Sequence, residues 1–366
     1  MVVENIGIIG LGLIGGSLAK ALKRSYPELY IKALDRDNKS LSNALCNGII
    51  DEMCQDLEIL VRGSKLIFLC TPIDSIAPIM NEIAPKLAPN TIVTDVCSIK
   101  GSIMERAKEI LPRDVYFIGG HPMAGAESSG YAYSTAHLFE NAFYVLTPFD
   151  EMPLKIVQFM VELVSSIGAF PLIMDADTHD GIVGAVSHLP HVVSATLVNT
   201  VAQLEDPSRF KEKLAAGGFK DITRIASSSP DMWANIGVSN RKKLSVLLLS
   251  MIDNLQSFYS LLDRGDEERI EEFFRYAKKY RDELPTVQNS ISVPYHELYV
   301  DIEDRPGMIG KVTSLLGKYN INIKNVRIIH SREHEPGCLI MSLSSSEDVD
   351  KSLSILMQRG YRAYRR

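Results

Sequence analysis

The sequence is poor in cysteine and has no excess of positive charge. Its five cysteines are odd in number and include no C-x-x-C pair, so they imply neither a disulfide framework nor a zinc site. A formal net charge of -6 disfavours binding to a phosphate backbone. The N-terminus shows neither the basic stretch nor the apolar span of a targeting or membrane segment. We therefore expect a cytoplasmic protein without a nucleic-acid or membrane partner.

The hydrophobic patterns predict three domains of α/β class in the 366 residues. In residues 1–174, short β-rich segments alternate with helical stretches, a rhythm typical of a parallel, doubly wound, Rossmann-like sheet. Residues 175–290 carry helical periodicity and predict an all-helical substrate and dimerisation domain, whose apolar helices favour an intertwined homodimer. After a linker rich in Pro, Asn and Ser, residues 296–366 follow the βαββαβ order of a ferredoxin-like sandwich.

A G-x-G-x-x-G pattern at residues 10–15 follows a predicted strand and opens a predicted helix. In that context Gly10 permits a tight turn, Gly12 lets the backbone approach a pyrophosphate, and Gly15 lets the helix pack closely on the strand. The helix N-terminus would then face the anion. A glycine-rich turn without a ligand is the alternative.

A carboxylate at the end of the second predicted strand favours NAD over NADP. Asp35 would accept hydrogen bonds from the ribose hydroxyls and repel a 2′-phosphate, although the adjacent Arg36 would attract one. A solvated turn residue is the other interpretation of Asp35. The predicted cofactor-binding residues are Gly10, Gly12, Leu13, Ile14, Gly15, Asp35, Arg36, Thr71 and Pro72.

Polar groups follow three predicted strands, at residues 70–72, 95–100 and 119–127. Ligands of open α/β sheets collect at this edge, so these segments should pass along the cofactor and the reacting centre. Removing a hydride from an alcohol carbon requires a base for the hydroxyl proton, and His121 is the candidate, with Ser98 orienting the hydroxyl. A purely structural histidine in a loop is the alternative.

The helical region contributes two histidines and two cations. His188 and His191 lie at i and i+3, hence on one side of a helix, but with His179 they lack the further ligands of a zinc site, so no metal is expected. Lys220 and Arg224 lie one helical turn apart. They form either a solvated face or a clamp for a carboxylate.

Three motifs carry a resemblance to the prephenate dehydrogenases that have a C-terminal ACT domain: Gly-His-Pro-Met-Ala-Gly at 120–125, Ser-His-Leu-Pro-His at 187–191, and Gly-Gly-Phe-Lys-Asp-Ile-Thr-Arg at 217–224. The resemblance spans nearly the whole chain. It implies NAD-dependent oxidative decarboxylation of prephenate to 4-hydroxyphenylpyruvate, in tyrosine biosynthesis. By resemblance, His121 takes the proton of the ring hydroxyl with help from Ser98, and Arg224 grips the ring carboxylate. The residues implied to line or support the substrate pocket are Ser187, His191, Glu127 and Lys220.

The C-terminal region resembles an ACT domain through its Asp-Arg-Pro-Gly turn and the Asn-Ile-Asn-Ile segment that follows the predicted helix. Gly307 would let the helix start approach a small ligand whose carboxylate meets free backbone N–H groups. By analogy the effector is an amino acid, with tyrosine the first candidate, and a purely dimerising sandwich is the alternative. The predicted effector-binding residues are Asp304, Pro306, Gly307 and Asn322.

Three other functions compete with this interpretation. A β-hydroxyacid dehydrogenase would need a lysine in a glycine-rich helix of the second domain, and residues 180–191 contain none. An arogenate dehydrogenase acts on a substrate that differs only by an amine in place of the side-chain keto group, and the sequence does not discriminate. A non-catalytic sensor of NAD and an amino acid would be expected to lose its base or anchor, yet His121, Ser98 and Arg224 are present.

Overall fold

The computed structural model describes residues 4–125, 128–284, 296–303, 305–329 and 337–365. These residues form two compact units, Met1–Ser260 and Leu261–Arg366. The predicted bounds of three domains therefore stay predictions, since this division falls inside the predicted helical domain.

An eight-stranded sheet in the order β3-β2-β1-β4-β5-β6-β7-β8 forms the centre of the first unit. The central strands β1, β4 and β5 are almost wholly buried, and β4 is a continuous apolar run, as is typical of parallel strands covered on both faces. The strands are β1 Asn5–Ile9, β2 Tyr30–Leu34, β3 Glu52–Met53, β4 Leu66–Leu69, β5 Ile92–Asp95, β6 Tyr116–Pro122, β7 Phe143–Pro148 and β8 Phe170–Ile173.

The prediction of an entirely parallel sheet is wrong at one place. Strand β7 pairs antiparallel with β6, and β8 then runs parallel to β7. A parallel crossover needs an element that packs across the face of the sheet, usually a helix. Between β6 and β7 the described residues form only the short 3-10 turn Tyr131–Tyr133, so the chain returns in the opposite direction.

Helices cover both faces of this sheet, as the doubly wound prediction requires. Leu18 of α1 and Phe159 of α6 belong to one buried cluster, while Met80 of α4 and Ile103 of α5 belong to another. The helices are α1 Leu13–Ser25, α2 Asn38–Cys46, α3 Leu57–Val61, α4 Ile73–Ile83, α5 Gly101–Ile110 and α6 Leu154–Ser166, with a 3-10 turn at Ala84–Lys86.

The all-helical prediction for the next region is confirmed. The helices are α7 Ala176–Val183, α8 Leu189–Ala202, α9 Phe210–Leu214, α10 Gly217–Thr223, α11 Pro230–Ser239 and α12 Arg241–Arg264, with a π-helical segment at Gly184–His188 and a 3-10 turn at Arg224–Ser227. Among the described residues, the continuous run Ala176–Ala202 is long and apolar enough to cross a membrane, and 22% of its apolar window is buried within the chain.

The second unit contains a four-stranded antiparallel sheet in the order β10-β11-β9-β12. This order and the βαββαβ sequence confirm the ferredoxin-like prediction, and Leu316 of α14 and Leu356 of α15 pack on the sheet through Val300 and Leu339. Its elements are α13 Glu267–Glu283, β9 His296–Ile302, α14 Met308–Lys318, β10 Ile323–Ile329, β11 Gly337–Leu343, α15 Ser346–Gln358 and β12 Arg362–Tyr364.

Candidate active site

The glycine-rich turn between β1 and α1 has a shape that only glycine permits. Gly10 has a φ of +95°, and a Cβ on Gly15 would lie 2.0 Å from the carbonyl oxygen of Gly10. At Gly12, by contrast, a Cβ would meet no atom within 4 Å, so the backbone is open on that side. Leu13 and Ile14 begin α1, whose first turn has no side-chain cap. Exposed N–H groups at a helix start, beside an open backbone, fit a dinucleotide pyrophosphate.

The residues around this turn also fit a dinucleotide. Asp35 follows β2 directly, and its carboxylate accepts hydrogen bonds from the backbone N–H groups of Leu11 and Asp37, so it braces the turn as well as facing it. Arg36 and Pro72 are exposed. The hydroxyl of Thr71, at the end of β4, is buried and has no hydrogen-bond partner within the described ranges. A buried hydroxyl without a hydrogen-bond partner is explained if a bound ligand supplies that partner.

The candidate base His121 lies inside strand β6, where it pairs with Val145 of β7, and not in a loop as predicted. A Cβ on the preceding Gly120 would lie 2.5 Å from the carbonyl oxygen of Asp95, so this glycine allows β6 to approach the end of β5 closely. The His121 ring is 8% exposed, and its Nδ1 atom lies 2.8 Å from Nε2 of His179 in α7. No hydrogen bond reaches its Nε2 atom from the described part of the chain.

A buried ion pair lies beside this histidine. Lys100 and Asp95 are fully buried and bonded to each other, and Asp95 also accepts the N–H groups of Cys97 at 2.9 Å and Gly120 at 3.2 Å. Burial and the positive charge of Lys100 hold the pKa of His121 well below its ordinary value. His121 is therefore neutral at pH 7, the form that a general base requires.

The helical region brings a second group of histidines to the site. His188 and His191 both contact Trp233 of α11, which confirms that they share one side: His191 stacks on the indole with ring centroids 3.7 Å apart, and His188 meets it edge-on at 5.9 Å. Asn240 donates from Nδ2 to Nδ1 of His188 at 3.0 Å and to the carbonyl oxygen of Asp180 at 2.9 Å. Burial lowers the pKa of His188 to about 4.

The π-helical segment follows from the Ser-His-Leu-Pro-His motif itself. Pro190 has no N–H, so the carbonyl of Val186 loses its ordinary helical donor and the helix widens at this point. The Nδ1–H of His191 donates to the carbonyl oxygen of Ser187 at 2.8 Å. This bond leaves Nε2 of a neutral His191 as an acceptor.

The other predicted site residues that the structure describes are exposed or partly exposed. Ser98 lies partly exposed in the connection between β5 and α5, and within the described residues it makes no hydrogen bond to His121. Lys220 is exposed on α10, and the exposed Arg224 begins the 3-10 turn after it. That turn packs on α8, and Ser194 of α8 donates to the carbonyl oxygen of Ile222 at 3.1 Å. The predicted pocket residue Glu127 lies outside the described residues, as does Ala126 beside it.

In the second unit, the start of α14 borders a cavity of about 610 Å³. Gly307 caps the helix with a φ of +85°, and Lys311, Lys318 and Arg359 line the same cavity. Pro306 and Asn322 are exposed nearby in sequence, whereas Asp304 lies outside the described residues. The cations and the helix start give this cavity a positive potential that suits a carboxylate.

Several residues that contact His121 or the helical histidines had no predicted part in the reaction. His179 was considered only as a possible metal ligand, and no role was predicted for Lys100, Asp180, Trp233 or Asn240. Two of these had a sequence signal: Lys100 ends one predicted strand-end segment, and Asp180 adjoins His179. Trp233 and Asn240 had none, because their partners lie far away in the chain.

The fold and the candidate site together are those of a Rossmann-type dehydrogenase. A dinucleotide turn, a neutral buried histidine at the adjoining sheet edge and a group of histidines from a helical region are the parts that such an enzyme needs.

Comparisons with known proteins identify the family. Models of the prephenate dehydrogenase nucleotide-binding and dimerisation domains match residues 18–171 and 175–278, and an ACT-domain model matches residues 296–359. The chain is 36% identical to the prephenate dehydrogenase of Bacillus subtilis over 94% of this chain and 93% of that one. It is 33% identical to that of Lactococcus lactis, over 96% and 97%. The chain belongs to the prephenate dehydrogenase family.

Two solved structures agree with this assignment. The prephenate dehydrogenase of A. aeolicus, in complex with hydroxyphenyl propionate and NAD+, matches with a TM-score of 0.73 and 33% identity over 78% of this chain and 99% of that one. The arogenate dehydrogenase of Synechocystis matches with a TM-score of 0.69 and 32% identity over 76% and 99%.

Proposed function

We propose that this chain catalyses the NAD-dependent oxidative decarboxylation of prephenate to 4-hydroxyphenylpyruvate. The observation that carries the proposal is His121: a buried, neutral histidine, bonded among the described residues through Nδ1 only, on the strand beside the one that leads to the buried Asp95–Lys100 pair. A neutral imidazole with an available Nε2 is the base that an alcohol oxidation requires.

Each group of residues has a separate role in the proposed reaction. NAD, held by the glycine turn with Asp35 and Thr71, supplies a hydride acceptor when bound. His121 takes the proton of the ring hydroxyl on Nε2, and Ser98, from the neighbouring connection, orients that hydroxyl. Once the alcohol is oxidised, the ring carboxylate stands in a vinylogous β-keto acid, so carbon dioxide leaves and the ring becomes aromatic.

Arg224 is the proposed anchor of the ring carboxylate. A guanidinium binds a carboxylate through two parallel hydrogen bonds, and Arg224 lies on a turn that packs against α8, the helix that carries His191. Ser187, His191 and Lys220 line or support the same pocket in this proposal, with Glu127 as a further member.

The assay follows the appearance of NADH or NADPH with prephenate and with arogenate, each with NAD and with NADP. We expect His121→Asn to lower kcat by about 10²–10⁴ and to leave NAD affinity nearly unchanged, because only the proton acceptor is lost. Near-wild-type turnover of this variant would remove His121 from the role of base. Faster turnover of arogenate than of prephenate would reassign the substrate.

We also propose that the chain works as a homodimer in the cytoplasm. The run Ala176–Ala202 is held to the sheet domain by Asp180, which accepts the backbone N–H groups of Lys100 and Gly101, and to the end of α11 by the bond between His188 and Asn240. The rest of its apolar surface is expected to pack against another apolar surface. The family's dimerisation domain spans this run, so a second copy of the chain supplies that surface in the proposal.

The ACT domain is proposed to bind an amino-acid effector, with tyrosine the first candidate. The cavity beside Gly307 and its cations Lys311, Lys318 and Arg359 support an anionic ligand, and the amino-acid carboxylate supplies that charge.

A further inference from the structure

His121, His179 and Asp180 form a line of hydrogen-bonded side chains that begins at the candidate base. His121 Nδ1 lies 2.8 Å from His179 Nε2, and His179 Nδ1 lies 2.8 Å from Asp180 Oδ1. His179 is fully buried and Asp180 nearly so. The line crosses from strand β6 to helix α7, so it joins the sheet to the helical region through side chains alone.

Asp180 is held by more than the histidine. Its Oδ1 accepts the backbone N–H of Lys100 and its Oδ2 that of Gly101, each at 2.8 Å, at the start of α5. Although burial by itself raises the pKa of Asp180, the hydrogen bonds from His179 and these two N–H groups lower it below its ordinary value. A Cβ on Gly101 would lie 2.9 Å from Oδ2, so this glycine keeps the contact open. Asp180 is therefore an ionised carboxylate in a fixed position.

The hydrogen bonds determine where the protons lie. An ionised carboxylate only accepts, so the His179 nitrogen that faces Asp180, Nδ1, carries a hydrogen. With its single hydrogen on Nδ1, His179 presents a lone pair from Nε2, and the His121 nitrogen that faces it, Nδ1, donates. Neutral His121 is left with its lone pair on Nε2.

We propose that His179 and Asp180 are positioning residues of the dehydrogenase, which hold His121 in the tautomer whose Nε2 takes the substrate proton. This inference rests on the proposed role of His121 as the base. In the step, the substrate O–H bond breaks as the Nε2–H bond forms, the hydride leaves from the carbon to NAD, and His121 becomes an imidazolium. Its Nδ1–H continues to donate to His179, Asp180 stays ionised, and the proton later passes from Nε2 to water.

The hydrogen-bonded line His121–His179–Asp180, called the relay from here on, also stabilises the imidazolium of His121 against the positive charge of Lys100. Lys100, at the start of α5, faces His121, and its positive charge disfavours a positive imidazole; His179 on α7 and His188 in the π-helical segment also face the ring. Asp180 is the anion at the far end of the line, and it stabilises through His179 the imidazolium that forms in the reaction.

The first test reads the tautomer directly in the full-length wild-type protein. Nitrogen-15 NMR of histidine-labelled protein, with His121 assigned by its loss in His121→Asn, should show hydrogen on Nδ1 and none on Nε2. Hydrogen on Nε2 would overturn the proposal, whatever the kinetics show.

The second test compares two substitutions of His179. His179→Gln keeps an acceptor for His121 Nδ1–H, and we expect kcat within about tenfold of wild type. His179→Phe keeps a ring but removes the acceptor, so we expect kcat to fall by about 10²-fold with KM nearly unchanged and with the acidic limb of kcat/KM moved to lower pH. His137→Gln, at an exposed histidine bonded to Glu140, is the matched control and should behave as wild type.

The third test asks whether the two residues act as one unit. The double variant His179→Phe/Asp180→Asn should lose no more turnover than the more damaging single variant. Independent, multiplying losses would contradict the relay. If His121→Asn keeps its turnover, the proposed base is wrong. If His121→Asn is inactive while His179→Phe keeps wild-type kcat and pH profile, only the relay is wrong.

Discussion

Helices α6 and α12 contain similar apolar residues and use them differently. In α6, six apolar side chains, among them Ile156, Met160 and Val164, are buried against the sheet. In α12, Leu244 is the one buried residue, while Val246, Leu249, Ile252 and Leu255 are exposed at spacings of three residues. The sheet region completes its core within one chain, and the helical region does not. Apolar periodicity therefore predicts that a helix will be covered, but not by which chain.

The largest effect should come from placing charge on the exposed helical face. Leu249→Asp/Ile252→Asp puts four carboxylates into a two-fold interface, because each residue occurs twice, so we expect the dimer dissociation constant to rise by about 10³-fold or more. Sedimentation velocity over a range of protein concentrations measures this. Leu154→Asp is the control, since Leu154 is 78% exposed at the start of α6. If both variants stay dimeric, another surface carries the association.

A pair of leucine truncations should separate the two regions next. Leu18 of α1 is buried in the sheet core, so Leu18→Ala should lower the free energy of unfolding by about 2–5 kcal/mol at any protein concentration. Leu255→Ala removes the same atoms from the exposed face, and its effect on the melting temperature should depend on concentration. Concentration-independent losses of equal size in both variants would show that α12 is covered within its own chain.

The buried histidines, where the two regions meet, should make stability depend on pH. The folded-state pKa values of His121 and His188 lie below 6.5, that of His188 at about 4, so the unfolded chain takes up protons that the folded chain does not. Stability should be full above pH 6.5 and fall as the pH drops from 6.5 toward 4. The urea midpoint across this range measures it, with His137→Gln as a control. A midpoint independent of pH would contradict the neutral buried histidines.

The smallest effect on turnover should come from removing the third predicted region. Deleting residues 296–366 should leave kcat within about twofold, because the sheet region has its own core and the ACT sheet has another. The response to tyrosine should disappear. Initial rates against tyrosine, with phenylalanine and tryptophan alongside, compare the full-length and truncated proteins. Equal tyrosine sensitivity in both would locate inhibition at the active site instead.

Local patterns were sufficient for much of the architecture. The strand positions other than that of β3, the glycine turn and the βαββαβ order of the C-terminal region follow from alternation, periodicity and turn residues within short windows. The direction of β7 did not follow, because a strand's direction depends on how the connection before it crosses the sheet. The placement of His121 in a strand was missed for a related reason, since pairing with β7 extends β6 beyond its apolar run.

By itself, the sequence determined which residues are candidates for the chemistry: the glycine turn, Asp35, His121 and the helical histidines stand in motifs that can be read one after another. Only the tertiary structure decided the tautomer, the charge state and the exposure of these residues. His121 meets His179 across 58 positions of the chain, and its low pKa comes from burial beside Lys100. Tautomer, charge state and exposure depend on neighbours that packing supplies, and packing joins residues whose separation along the chain carries no periodic signal.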